Sequence, residues 1–348
     1  VEPAMLQPIR GIGMEAFRSG RSRNIVDLFD PRLSRFAGRE IRQNGESGNR
    51  DDDEGSDLKG FVLQEIGHDQ SNDSKRHAPD LQRLENEGVV IGEIVLVRED
   101  VFDLTDPKEN NWLYRWANKL HIVTRERVIE QQLLIEPGEQ FSKRLVEETE
   151  RILRRNSFFY DVWITPLKRE NGVVDVEVRT RDVWTLKPGF SFARSGGENR
   201  TQIKIEELNL LGWGQQVLVA RAEDVDRDAT LFTFRDKNLG RSWTQLRMQY
   251  ADSSDGHWND VSLIRPFYSL DARWTAGVKW TDFDIEERLY TLGEKAAEYR
   301  HEREFYSAFG GWSAGLQDGW VRRYTAGVVY DEHLFSDVVD ATLPQAIP

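Results

Sequence analysis

Few side chains of this sequence have the types and spacing that chemistry needs. Gly11-Ile12-Gly13-Met14-Glu15-Ala16 fits G-x-G-x-x-A, the turn that brings a dinucleotide pyrophosphate to a helix N-terminus. No strand precedes it and no crossover unit follows, so it reads as a loop. Asp224, Asp226 and Asp228 have the alternate spacing of a calcium loop, but the glycine is missing and Arg235 occupies the twelfth position. A solvated hairpin tip accounts for them better. His301-Glu302 lacks the second histidine of a zinc protease helix, and the six histidines are scattered. There is no G-x-S-x-G elbow and no cysteine, which excludes thiol nucleophiles, disulfide frameworks and zinc ribbons. The expectation is a protein that is not an enzyme and takes no cofactor or metal.

Forty-seven basic against 60 acidic residues leave a net charge of −13, opposite to what phosphate neutralisation needs, so no nucleic-acid partner is expected. No apolar run is long enough for a membrane helix. That leaves open a β-barrel, whose alternating strands vanish in a hydropathy average. Of 11 tryptophans, eight lie at or beyond Trp184.

Residues 1–37 carry no assignable pattern. Residues 38–85 are rich in Gly, Asn, Asp, Ser and Arg, with Asp51-Asp52-Asp53-Glu54 among them, and read as a disordered linker unable to bury enough surface to order itself. From 86 to 182 the pattern is strand, helices and hairpin. Val89 to Leu96 is an apolar β-rich run, and Asn110 to His121 a short aromatic helix. Thr124 is the expected N-cap of a helix carrying Val128, Ile129, Leu133 and Leu134, which ends at Pro137-Gly138. Phe141 to Asn156 is the clearest helix, with Phe141, Leu145, Ile152 and Leu153 on one side. Glu147, Glu148, Glu150, Arg151, Arg154 and Arg155 cover the other side, with Glu147–Arg151 and Glu150–Arg154 at i,i+4. The turn Asn171-Gly172 joins the runs Phe159 to Thr165 and Val173 to Thr180 as a hairpin.

From 183 to 348 the period is two. Trp184, Leu186, Phe190 and Phe192 share one face, and alternation recurs around Ile203 and Ile205, from Thr244 to Tyr250, from Ala272 to Trp280 and from Tyr324 to Tyr330. Turn clusters at 195–199, 236–241, 252–256 and 317–319 separate the runs, giving an antiparallel meander of about nine strands. A soluble secreted sandwich would produce such a pattern. So would a membrane barrel, and runs of about 9 to 13 residues with aromatic ends match the length of a tilted spanning strand.

Three stretches within 138–162 (Gly138-Glu139-Gln140-Phe141, the Glu147 to Arg154 helix, and Phe158-Phe159-Tyr160-Asp161-Val162) resemble a polypeptide-transport-associated (POTRA) repeat. Arg181 to Leu186, Glu206 to Gly214, Asp236 to Gly240 and Arg265 to Asp271 are similar to the start of a BamA/TamA-type barrel. The resemblance implies an α+β POTRA-like domain over 86–182, followed by the first part of an antiparallel transmembrane β-barrel over 183–348. It further implies a bacterial outer-membrane location with the N-terminal half in the periplasm, and help in inserting or translocating other proteins. Its partners would be outer-membrane lipid, unfolded or secreted client polypeptides and accessory periplasmic proteins. Nine strands are about half of that family's barrel, and Ala341 to Pro348 lacks an aromatic-terminated last strand, so an N-terminal fragment is expected.

Under the resemblance, Asp161, Val162, Trp163, Ile164 and Thr165 form a sheet edge whose free backbone groups a client strand can join. Trp184, Leu186, Phe190 and Phe192 mark the first barrel strand, one side of a seam. A passive barrel (receptor, pore or anchor) with a partner-binding periplasmic domain is the competing membrane reading.

Overall fold

The computed structural model describes residues 81–338 apart from 196–197, 225–226 and 292–293. The unassigned N-terminal segment, with its G-x-G-x-x-A match, and the linker up to residue 80 lie outside the described residues, as does the stretch 341–348.

Two sheets divide the described chain. The first has three strands, β1 (Val90–Glu99), β2 (Phe159–Glu170) and β3 (Val173–Asp182), in the order β1-β3-β2. β1 runs parallel to β3, and β2 pairs antiparallel across the Asn171-Gly172 turn. Both turn residues have positive φ, 49° and 79°, the conformation a two-residue hairpin loop demands.

Four helices accompany this sheet: α1 (81–86), α2 (Trp112–Leu120), α3 (Glu126–Glu130) and α4 (Lys143–Arg154). Residues 81–85, read from sequence as the end of a linker, are helical instead. Leu81 and Leu84, three apart, turn the same way into the core. There they meet Ile91, Ile129, Phe141, Leu153, Val162 and Val176.

Two helix expectations need correction. Thr124 is not an N-cap: α3 starts after Arg125, lasts five residues and stops short of Leu133. Glu148, placed on the solvent side, is buried on α4. Its carboxylate accepts the Leu270 amide at 2.8 Å and faces Arg144 and Arg151 at 3.3 and 3.2 Å. The Glu150–Arg154 pair forms at 2.9 Å, whereas Glu147 lies 3.8 Å from Lys143.

The second sheet is a nine-stranded antiparallel meander in sequence order: β4 (Leu186–Ser195), β5 (Glu198–Glu207), β6 (Gln215–Glu223), β7 (Asp228–Leu239), β8 (Thr244–Ser253), β9 (Gly256–Arg265), β10 (Trp274–Thr291), β11 (Glu294–Gln317) and β12 (Trp320–Asp337). It is one continuous sheet, not two packed face to face, so the sandwich alternative is not the fold. The first strand begins at Leu186, leaving Trp184 in the link from β3. β7 runs through most of the 236–241 stretch read as a turn, and β11 reaches 24 residues.

Register holds one parity across the meander. Val217, Phe234, Met248, Val261, Trp280, Tyr306 and Tyr330 are successive cross-strand partners, a single apolar row over seven strands. The next row, Leu218, Thr233, Gln249, Asp260, Thr281, Phe305 and Asp331, lies on the opposite face. That inner face is mixed. Thr281 donates to Asp260 at 2.9 Å and Lys279 pairs with the same carboxylate at 3.0 Å. Ala220, Ala222, Leu231, Ala251, Phe283 and Ile285 form a small apolar cluster toward the far strand ends.

Phe141 is 1% exposed in the first core. Phe141→Ala is therefore expected to destabilise the α+β unit by about 3–5 kcal/mol, read as faster amide exchange across β1–β3 with the meander unchanged.

Candidate functional site

Three features of this scaffold could act on a partner: the outer face of the meander, the strand edges, and the joint between the two units.

On β10, β11 and β12 the outer face is banded. Trp274, Trp312 and Tyr324 are cross-strand neighbours, and so are Trp280, Tyr306 and Tyr330. Between these aromatic rows lie Ala276, Gly310 and Ala326, then Val278, Ala308 and Val328. No charged side chain interrupts the four rows on these strands. One pleat beyond the second aromatic row the same face carries Asp282, Glu304 and Glu332. Most of the large apolar side chains in the band are exposed. From Trp274 to Trp280 the band measures roughly 20 Å along the strand at about 3.4 Å per residue.

β4 and β12 each lack a neighbour on one side among the described strands. Phe190 and Phe192 project from β4 and are exposed, as is nearly every residue of β12. Leu186, Phe190 and Phe192 thus do lie on an edge strand, and Trp184 stands just before it.

The other sequence-derived edge differs from expectation. Asp161 to Thr165 lie on β2, which is an outer strand of the small sheet. Its backbone is not an open row of donors and acceptors there. Arg154 donates to the Val162 carbonyl at 2.7 Å and pairs with Asp161 at 3.0 Å, and Glu150 accepts the Ile164 amide at 3.2 Å. Burial raises the Glu150 carboxyl above the usual glutamate range, with the Arg154 charge opposing. An incoming strand at Val162 and Ile164 has to displace these two α4 side chains. Val162 and Ile164 themselves point into the core, and Trp163 is half-buried.

The joint was missed from sequence. Asp182, the last residue of β3, is buried and accepts from the Thr124 amide at 2.8 Å and from its hydroxyl at 2.9 Å. Asn209 Nδ2 donates to the same hydroxyl at 2.7 Å, and Asn209 Oδ1 accepts the Gly214 amide at 2.6 Å. A directed chain of hydrogen bonds therefore runs from the β5–β6 turn into the α+β unit. Arg125 reinforces it: its amide donates to Gly212 O, its Nε donates to Leu211 O, and its guanidinium lies 4.2 Å from the Trp213 ring.

The turn can approach because of two glycines. Gly212 has φ 76°, and a Cβ there would come within 2.7 Å of the Val123 carbonyl. Gly214, at φ 73°, would press on Val128. Further contacts follow the same rim: Asn238 Nδ2 to Gln131 O at 2.9 Å, Lys237 to Arg155 O at 3.3 Å, and the Glu148–Leu270 bond. The one sequence cue was Leu-Leu-Gly-Trp-Gly, a glycine pair too closely spaced for a strand.

Burial pushes the Asp182 carboxyl up to about 6, against the Thr124 hydrogen bonds and the charge of His121. His121 Nδ1 sits 3.0 Å from Asp100, while its Nε2 is 3.6 Å from Asp182 with no hydrogen-bond partner. Among the described residues no group of acidic and histidine side chains is placed to hold a metal.

No family model and no curated protein matches this chain. Among solved structures, BamA from Haemophilus ducreyi lacking POTRA domains 1–3 superposes with a TM-score of 0.39 at 12% identity, over 71% of this chain and 56% of that one. CdiB from Acinetobacter baumannii gives 0.40 at 11% identity, over 72% and 46%. The chain thus spans about half the length of each.

Two outcomes test the joint. Thr124→Val leaves Asp182 and Asn209 buried without the hydroxyl they share and is expected to cost about 2–3 kcal/mol, measured by urea unfolding, with Thr124→Ser largely restoring the loss. The second concerns pH. With its folded pKa near 6 and a lower unfolded one, Asp182 takes up its proton in the folded state first, so its contribution falls as pH rises from about 4 to 6. The stability difference between the parent and Asp182→Asn should change by about 1.4 kcal/mol per pH unit in that window and be flat above pH 7.

Proposed function

We propose that this chain is part of a bacterial outer-membrane β-barrel protein that helps other polypeptides into or across that membrane. The carrying observation is the pair of aromatic rows, Trp274–Trp312–Tyr324 and Trp280–Tyr306–Tyr330, enclosing an uncharged band. Aromatic girdles around an apolar belt about 25 Å tall are what a bilayer selects on a barrel exterior. The α+β unit, fixed at one rim, is then a POTRA-like periplasmic domain, in keeping with the sequence resemblance and the β1-β3-β2 order.

Action would be through backbone, without catalysis or cofactor. An edge strand offers a row of amides and carbonyls to any extended chain. β4 is the place to offer it, and Phe190 and Phe192 are the side chains beside that edge. Outer-membrane lipid, unfolded or secreted clients and accessory periplasmic proteins are the partners that this reading requires.

One observation favours a passive barrel whose small domain only holds a partner: Glu150 and Arg154 occupy the β2 edge that client capture would use. The two readings separate in cells. A photo-crosslinking residue at Phe190 is expected to trap outer-membrane or secreted polypeptides during their synthesis, and depletion to lower the levels of other barrel proteins. Unchanged levels, with crosslinks to lipid alone, would leave the passive barrel standing.

A further inference from the structure

We propose that α2 is an interfacial anchor, lying with its apolar face in the periplasmic surface of the lipid bilayer beside the barrel rim; this rests on the membrane reading above. The helix is held from behind. Asn118 exchanges hydrogen bonds with the Phe102 backbone, Oδ1 accepting the amide at 3.1 Å and Nδ2 donating to the carbonyl at 2.8 Å. The Tyr114 ring stacks on Phe102 at 4.0 Å. Asn111 caps the N-terminus by accepting the Tyr114 amide.

Asn118 and Tyr114 define the side facing the protein. Trp112, Leu113, Trp116 and Leu120 fall within about a third of the circumference on the opposite side. No residue of α2 is buried, and Trp112 and Trp116 are 78% and 60% exposed. A helix built to pack on its own domain would turn that arc inward. Here the polar side is docked and the apolar side is presented.

Three observations select lipid as the occupant. The first is position. Ile122, two residues past the helix, is in contact distance of a Cβ at Gly212, and Arg125 binds the turn that exposes Leu211 and Trp213. That turn lies at the rim where β10 begins with Trp274, so α2 is tethered at the end of the meander that carries the lower aromatic row. The second is composition, since two tryptophans and two leucines on one arc suit the boundary between headgroup and acyl chain. The third is charge. In a chain of net −13, Trp112 to Arg127 carries four basic residues against one acidic one. Arg115 and Lys119 border the Trp112 side of the apolar arc, where their stems can lie on it while the charges reach lipid phosphate.

The chain has no cysteine, so single thiols can be placed for spin labels. The full chain is folded into vesicles of phosphatidylethanolamine and phosphatidylglycerol with a label at Leu113→Cys, at Val328→Cys on the band of β12, or at Lys108→Cys as an exposed reference. The expected result is an oxygen-to-nickel accessibility ratio severalfold higher at 113 and 328 than at 108, with the ratio at 113 reduced in Arg115→Glu/Lys119→Glu. A label at 113 that matches 108 while 328 reports lipid overturns the anchor and leaves the membrane reading intact. So does one shielded from both reagents, which means that protein covers the face. An aqueous 328 overturns the membrane reading, and the anchor with it.

Discussion

Parity of register is the constraint on which the larger sheet depends. Successive strand residues point to opposite faces, so a slip of one residue between any two strands would send an entire apolar row to the polar side. The partners from Val217 to Tyr330 hold phase over seven strands. Irregularities occur near strand ends, between Asp236 and Leu239 and between Ser313 and Leu316. They fall at the rim, where strands turn or the α+β unit docks, and leave the band undisturbed.

The joint works by a different physics. It is small, buried and directional, with Asn209 donating to Thr124 and Thr124 to Asp182. Buried polar groups in such a chain are costly when any member is lost, which makes the attachment specific. Glycine at 212 and 214 lets two backbones approach closely enough for the chain to form.

Much of this was legible in the residues. The Asn171-Gly172 hairpin, α4 and the alternating meander follow from short-range rules, and the structure has them. What escaped was decided by partners distant in sequence. Charge assigns Glu148 to solvent, although helical phase sets it beside Leu145 and Ile152, and the Leu270 amide, 122 residues later, supplies its buried partner. Thr124 looks like a cap until Asp182 and Asn209 are seen around it. β11 was hidden because glycine, alanine and charged residues dilute its alternation over 24 residues. Asp161 to Thr165 lie on β2, an outer strand of the small sheet. The α4 side chains over it could not be read from the strand's own sequence.

On the proposed membrane reading, the change of chemistry along β10, β11 and β12 also sets depth. Immediately past Trp280, Tyr306 and Tyr330 stand Asp282, Glu304 and Glu332, side by side on the same face. Sinking these strands by a single pleat, about 7 Å, would bring three carboxylates together to the level of the aromatic row, at the hydrocarbon boundary. Rising by the same amount would lift the upper aromatic row out of the headgroups and replace it with valine and alanine. A bilayer around these strands would thus work as a detent that resists their vertical travel.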